Sequence, residues 1–171
     1  MPITLHMRHS RPVNQHTKGW LLVGIQALLL VALVVLPWRQ LGSDGPLPVW
    51  FSLVGVAVMV AGVGFGLAGA ATLSSALTPT PVPKPGETLR TSGAYAIVRH
   101  PLYTSVLTMA LGFTVAVGSW WQLAVCCCLA IFFGFKSRWE DSMLAERFGD
   151  QWQDYRRATP AIVPLLRLGR R

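Results

Sequence analysis

Five ionisable side chains occur in two short clusters of the sequence, about 40 residues apart. They are Arg99, His100, Arg138, Glu140 and Asp141. Guanidinium and imidazolium groups bind anions, whereas carboxylates accept hydrogen bonds and can act as general bases. If the clusters meet in the folded chain, they form a site for a ligand that carries charges of both signs. Whether they meet depends on the segment between them.

That segment, residues 102–135, contains no Asp, Glu, Lys or Arg. It has 34 residues, and a single membrane-spanning helix needs about 20. The length therefore predicts a hairpin of two transmembrane helices at about 101–117 and 119–136, with its turn at Gly118 and Ser119. Two antiparallel helices of equal length return the chain to the same membrane face. We therefore expect the two polar clusters to lie close together.

The whole chain has the composition of a membrane protein. Hydrophobic residues make up 52% of its 171 residues and charged residues only 13%, which is unlike a soluble domain of this size. Uncharged runs at 19–37 and 47–73 predict two more spanning helices. The sequence thus predicts a single all-α integral membrane domain over residues 1–171. It has about four transmembrane helices, a loop at 74–100 and a tail at 137–171 that contains an amphipathic helix.

The distribution of basic residues predicts the orientation. Lys and Arg cluster before the first helix, in the loop at 74–100 and beyond residue 135. Basic residues near membrane-spanning ends tend to remain cytoplasmic, so both termini and this loop are expected there. The net charge of +8 suits anionic lipids as partners. No nucleic-acid partner is expected, because no folded reader motif accompanies the charge.

The start of the third helix has the features of an anion site. Proline disfavours helical geometry at the residue before it, which places His100 at the N-cap and Pro101 at the first helical position. The free N–H groups of residues 102–104 are then expected to face the cytoplasmic entrance beside Arg99 and His100. The residues alone leave two interpretations evenly matched: a ligand site, or a structural Arg–Glu gate that closes the bundle.

Other patterns are interpreted structurally. Gly62 and Gly66 have the GxxxG spacing, for which close helix packing is favoured over a groove for a ligand. Residues 126–128 are three consecutive cysteines within a predicted helix. Their side chains point about 100° apart and cannot form one metal site, so they are interpreted as apolar filler. No metal site is predicted, and the histidines at 6, 9 and 16 are assigned to an interfacial N-terminus.

Two blocks of the sequence resemble a known family. LRTSGAYAIVRHPLYTS, followed about 35 residues later by RWEDSMLAERFGDQWQDYRRATPAIVP, resembles the C-terminal half of the isoprenylcysteine carboxyl methyltransferase and phospholipid methyltransferase-like membrane enzymes. The resemblance covers about residues 86–164. Departures from the family pattern occur at Ser105, Arg138, Asp141, Trp152 and Val163. Asp141 keeps the charge of the glutamate it replaces, and Trp152 keeps the aromatic bulk of a tyrosine.

The resemblance implies a methyltransferase that takes S-adenosylmethionine from the cytoplasm and releases S-adenosylhomocysteine. It also implies a lipophilic acceptor that enters from the bilayer, whose methylated atom the sequence does not identify. The implied cofactor-binding residues are Tyr95, Arg99, His100, Pro101, Leu102, Tyr103, Glu140 and Asp141. The implied catalytic residues are Arg138, to hold a carboxylate acceptor, and Glu140, as a base for an amine or hydroxyl. The alternatives are a non-catalytic membrane scaffold and an NADPH-dependent enzyme similar to the sterol reductases.

Overall fold

The computed structural model describes residues 12–36, 48–73 and 88–164, with side chains from residue 17 onward. All regular secondary structure in these ranges is helical. The helices are α1 (Pro12–Val35), α2 (Val49–Leu73), α3 (Ala94–Ile97), α4 (Pro101–Val117), α5 (Trp120–Phe148) and α6 (Asp150–Ala158). Most of the predicted loop at 74–100 and the last seven residues of the tail lie outside the described ranges.

Among the described residues, three helices are long and apolar enough to cross a membrane: α1 from Thr17, α2 and α5. The fourth apolar helix, α4, has 17 residues. Large apolar side chains such as Leu28, Val60 and Ile131 are exposed on the outside of the bundle, where lipid rather than water is the favourable solvent. The predicted all-α membrane fold is confirmed.

The hairpin turn is at Gly118 and Ser119, between α4 and α5. Gly118 has the left-handed conformation (φ 63°, ψ 38°) in which an ordinary side chain is disfavoured, and its N–H donates to the carbonyl of Thr114 at 2.8 Å. This is a common way for a helix to end. It sends α5 back alongside α4.

Two helix ends differ from the predicted ones by more than two residues. The fourth spanning helix, expected to end at 136, continues without a break to Phe148. The polar residues that follow Lys136 include good helix formers, and the first helix-breaking residue is Gly149. At the other end of the chain, α1 begins at Pro12 rather than 19, because proline is well accommodated in a first helical turn. The carboxylates at 140 and 141 therefore belong to α5 itself.

Helices α2 and α4 are antiparallel and touch through their backbones. A Cβ added at Gly112 would lie 2.6 Å from the carbonyl oxygen of Gly55 and 2.7 Å from the backbone nitrogen of Met59. Farther along, the Ser105 hydroxyl donates to the carbonyl of Gly62 at 2.8 Å. The glycine face of α2 is therefore a packing surface, as the sequence interpretation favoured.

The core lies where α1, α4 and α5 meet. Leu33, Ala110, Leu129 and Phe133 are buried there together. Helix α5 runs antiparallel to α1, and the buried Gln122 amide donates to the carbonyl of Leu36 at 3.0 Å near the C-terminal end of α1. This packing fixes the rotation of α5 and hence the direction in which its polar residues point.

Candidate functional site

The residues before α4 are bound to the C-terminal tail through their backbones. Arg99 N–H donates to the carbonyl of Pro160 at 2.9 Å, and His100 N–H donates to the carbonyl of Ala161 at 3.0 Å. The Arg99 side chain extends this contact, because Nη1 donates to the carbonyl of Thr159 at 2.7 Å. The tail beyond α6 is thereby held against the start of α4.

Asp141 joins both members of the Arg99–His100 pair. Its Oδ2 accepts from Arg99 Nη2 at 2.7 Å, and its Oδ1 lies 2.8 Å from His100 Nε2. Burial alone would lower the pKa of His100, but the hydrogen bonds to Asp141 and Glu140 outweigh it and raise the pKa to about 9. The imidazole is therefore a cation at neutral pH and donates from both ring nitrogens.

Glu140 is the second carboxylate of the same cluster. Its Oε2 accepts from the Tyr103 hydroxyl at 2.8 Å and lies 3.4 Å from His100 Nδ1. The Tyr103 ring is stacked between His100 and Phe133, with centroid separations of 5.3 and 4.8 Å. Packing on both faces fixes the ring, so the Glu140 carboxylate is held at a defined position.

Tyr95 and the aromatic residues of α6 enclose the cluster from the tail side. The Tyr155 hydroxyl donates to the carbonyl of Tyr95 at 2.6 Å, and Trp152, only 1% exposed, lies under Arg99 with the guanidinium 5.6 Å from its ring centroid. Burial raises the pKa of Tyr95, and the charge of Glu140 acts in the same direction. Within the described residues, Trp152 Nε1 and Arg99 Nε are buried without a hydrogen-bond partner.

The predicted anion site at the start of α4 is not open. The N–H groups of Tyr103 and Thr104, expected to be free, both donate to the carbonyl of His100 at 3.1 Å. The Arg99 and His100 cations are also compensated, because Asp141 and Glu140 approach them as ion pairs. Two carboxylates brought into a poorly hydrated site bind the nearest cations instead of facing them across a pocket.

Pro101 and Leu102 point toward α2. A Cβ added at Gly69 would lie 3.2 Å from Pro101 Cβ and 3.5 Å from Leu102 Cδ2. Both residues therefore pack α4 against the glycine face of α2. Of the predicted cofactor-binding residues, these two are directed away from the ionised cluster.

Arg138 is separated from Glu140. Successive residues of an α-helix are about 100° apart, so these two side chains leave α5 roughly 160° from one another. Glu140 faces Tyr103, whereas Arg138 is exposed and contributes to a cavity of about 290 Å³ on the side toward α6. That cavity is lined by Arg138, Asp141, Ser142, Ala145 and Arg156. The structure places the two predicted catalytic residues on different sides of α5, and it adds Arg156, which the sequence interpretation missed.

Lys136 is a second residue that the sequence interpretation missed. It is only 4% exposed and lies one turn before Glu140 on the same face of α5. Its Nζ donates to Gln26 Oε1 in α1 at 2.7 Å and lies 5.1 Å from the ring centroid of Tyr103. The sequence did contain a signal for this residue: Lys136 is the first charge after a long uncharged run, and it precedes the Glu140 carboxylate by four residues.

These observations define a multi-pass helical membrane protein with a buried, ionised cluster where its central hairpin opens. Residues 50–151 match the family model for phospholipid methyltransferase. The chain belongs to this family. The match includes α2, a helix that the sequence resemblance did not cover.

Two curated proteins are similar to parts of the chain. Protein-S-isoprenylcysteine O-methyltransferase of Schizosaccharomyces pombe is 35% identical over 79 residues, which are 46% of this chain and 34% of that protein. Cobalt-zinc-cadmium resistance protein CzcN of Cupriavidus metallidurans is 41% identical over 87 residues, which are 48% of this chain and 38% of that protein. The chain therefore matches little more than a third of each relative's length.

Proposed function

We propose that this protein transfers a methyl group from S-adenosylmethionine to a lipophilic acceptor that reaches it from the bilayer. The observation that carries the proposal is the ionised cluster of Arg99, His100, Glu140 and Asp141, which adjoins an open cavity at the mouth of an apolar hairpin. Family membership supports the same chemistry. Buried ionisable groups in membrane proteins usually serve a function.

The cavity beside Asp141 fits the charged end of the cofactor. Its volume of about 290 Å³ is at the lower end of small-molecule sites, roughly 300–1,000 Å³, and suits part of the cofactor. Arg138 and Arg156 line it, and within the described residues neither has a carboxylate partner within 4 Å. These two arginines would hold the carboxylate of S-adenosylmethionine, in place of Arg99 and His100, which are already paired. The bound cofactor supplies an electrophilic methyl group on its sulfonium.

The remaining residues of the cluster would orient and enclose the methyl group of the cofactor. Glu140 and Asp141 present carboxylate oxygens that accept hydrogen bonds from ribose hydroxyls or an ammonium. The faces of Tyr95 and Tyr103 attract a cation. Glu140, fixed by Tyr103, is also the candidate base for an amine or hydroxyl acceptor, whereas a carboxylate acceptor needs no base.

The proposed orientation places this site at the cytoplasmic face. The concentration of Lys and Arg around the start of α1 and after residue 135 supports it. In this orientation both termini are cytoplasmic, anionic lipids surround the basic tail, and S-adenosylmethionine is available where the cavity opens.

Calorimetric titration of the purified protein with S-adenosylhomocysteine tests the proposal. The wild type should bind, and Arg138→Ala and Glu140→Gln should each weaken binding at least tenfold. Asp154→Asn is the matched control, because Asp154 lies on α6 in an exposed pair with Arg157 and should leave binding unchanged. A folded wild-type protein that does not bind S-adenosylhomocysteine would contradict the proposal.

A further inference from the structure

Helix α6 is joined to α5 by a sharp break and is too short to be stable alone. Gly149 has φ 53° and ψ −125°, and the helix that follows it, Asp150–Ala158, has nine residues. Isolated helices shorter than about 12–15 residues are marginal in water. The order of α6 therefore depends on how well it docks against the rest of the chain.

Apolar and backbone contacts favour the docking of α6. Trp152 and Tyr155 are buried, and the Tyr155 hydroxyl donates to the carbonyl of Tyr95 at 2.6 Å. The carbonyl of Arg156 accepts from Arg99 Nη1 at 3.2 Å. These contacts hold one side of the helix, while Arg156 is exposed and lines the cavity between α6 and α5.

The charges at this cavity oppose the docking of α6. Arg138 on α5 and Arg156 on α6 both line it, and among the described residues neither lies within 4 Å of a carboxylate. The other charged residue of the lining, Asp141, is already paired with Arg99 and His100. Two uncompensated cations therefore border the interface of the two helices, and like charges repel.

We propose that α6 is a clamp that closes on the anionic end of the cofactor, and that Arg156 makes this closure specific for a carboxylate. With a carboxylate between them, the two arginines attract a common partner instead of repelling each other, and each can offer it parallel N–H donors. Ligand binding and the docking of α6 are then coupled, so each favours the other by the same factor. The inference rests on the proposed function, because it concerns the same cavity.

Hydrogen exchange of the full chain, in a neutral maltoside detergent and a buffer without phosphate, measures the docking. Peptides from residues 150–158 are followed by mass spectrometry. Saturating S-adenosylhomocysteine should slow exchange in this segment by about fivefold or more, because a docked helix opens less often. 5′-Methylthioadenosine has the same nucleoside and thioether but no carboxylate, and it should leave the exchange rate unchanged.

Variants of α6 assign the coupling to one side chain. Arg156→Gln removes one of the two like charges, so α6 should exchange more slowly than in the ligand-free wild type, and S-adenosylhomocysteine should add little further protection. Arg156→Lys keeps the charge and should keep both the fast ligand-free exchange and most of the slowing by the ligand. Arg157→Gln is the matched control, because Arg157 is also exposed on α6 but pairs with Asp154. It should behave as the wild type does.

Calorimetry on the same samples separates this inference from the proposed function. A folded wild type that binds no S-adenosylhomocysteine contradicts both. Three results overturn the clamp alone: binding of S-adenosylhomocysteine without slower exchange in α6, an equal slowing by 5′-methylthioadenosine, or a ligand-free exchange rate that Arg156→Gln does not change.

Discussion

His100 at the start of α4 and Asp141 in α5 are 41 residues apart in sequence, yet His100 Nε2 lies 2.8 Å from Asp141 Oδ1. Both side chains are largely buried. The pair closes the open end of the hairpin opposite the turn at Gly118. It therefore fixes the separation of the two helices at the point where the candidate site is formed.

Asp141→Asn should destabilise the protein strongly. The change removes the negative charge that compensates Arg99 and His100, and breaking a buried ion pair costs roughly 3–5 kcal/mol. The free energy of unfolding in mixed micelles measures the loss. Asp154→Asn is the control, because the Asp154–Arg157 pair is 76–78% exposed and such pairs contribute about 1 kcal/mol or less. If Asp141→Asn lowers the free energy of unfolding no more than Asp154→Asn does, the buried pair does not stabilise the fold.

Stability should fall between neutral and alkaline pH because of His100. Its pKa is raised to about 9 in the folded protein, above the 6.5 of an unperturbed histidine. The stabilisation from the imidazolium is therefore complete below pH 6.5 and is lost as the pH rises through 9. The loss is roughly 3 kcal/mol. His100→Gln should remove this part of the pH dependence, and parallel curves for wild type and variant would contradict the assignment.

An exchange of charges distinguishes a structural gate from a cofactor site. Arg99 pairs with Asp141, not with Glu140 as the sequence suggested, so the informative double variant is Arg99→Asp with Asp141→Arg. A purely structural gate predicts that the exchange restores much of the stability that either single change loses. For a methyl-donor site we expect partial recovery of stability but at least tenfold weaker binding of S-adenosylhomocysteine. Full recovery of both would mean that the Arg99–Asp141 pair has a structural role only and does not recognise the cofactor.

Two glycines of the helix pair α2 and α4 should respond in opposite ways to alanine. Gly112→Ala places a methyl group against the backbone of α2 and should cost about 1–3 kcal/mol through overpacking. Gly64→Ala meets nothing within 4 Å and should be neutral or stabilise by up to about 1 kcal/mol. Thermal unfolding of both variants compares them directly. A tolerated Gly112→Ala would show that the two helices can separate.

The hairpin was predictable because its determinants are local. They are an uncharged run of about twice the spanning length, a central glycine and a proline at the helix start. Together they bring Arg99 and His100 near the two carboxylates at 140 and 141. The pairing within this cluster was not predictable. Which carboxylate meets Arg99 depends on the rotation of α5, and that rotation is set by distant contacts such as the one between Gln122 and Leu36.

The position of the tail could not be predicted from the sequence either. The amphipathic spacing of Trp152 and Tyr155 indicates a helix, and a helix lying on the lipid surface has the same pattern. In the structure both aromatic residues are buried against the cluster. The break at Gly149 (φ 53°) turns α6 back toward α4. The carbonyls of residues 159–161 then accept hydrogen bonds from Arg99 and His100. Such backbone pairing leaves no sequence signature.

The continuous α5 has a mechanical consequence. Its 29 residues form a rod about 44 Å long, which exceeds a hydrocarbon core of about 30 Å. Its uncharged part, residues 120–135, is only about 24 Å long, and a hydrophobic stretch shorter than the core is accommodated by local thinning of the bilayer. Since one rod holds Gln122 at one end and both carboxylates near the other, a thicker or thinner membrane alters how far Glu140 and Asp141 stand from the lipid head groups. We therefore expect the environment of these two carboxylates to depend on lipid composition.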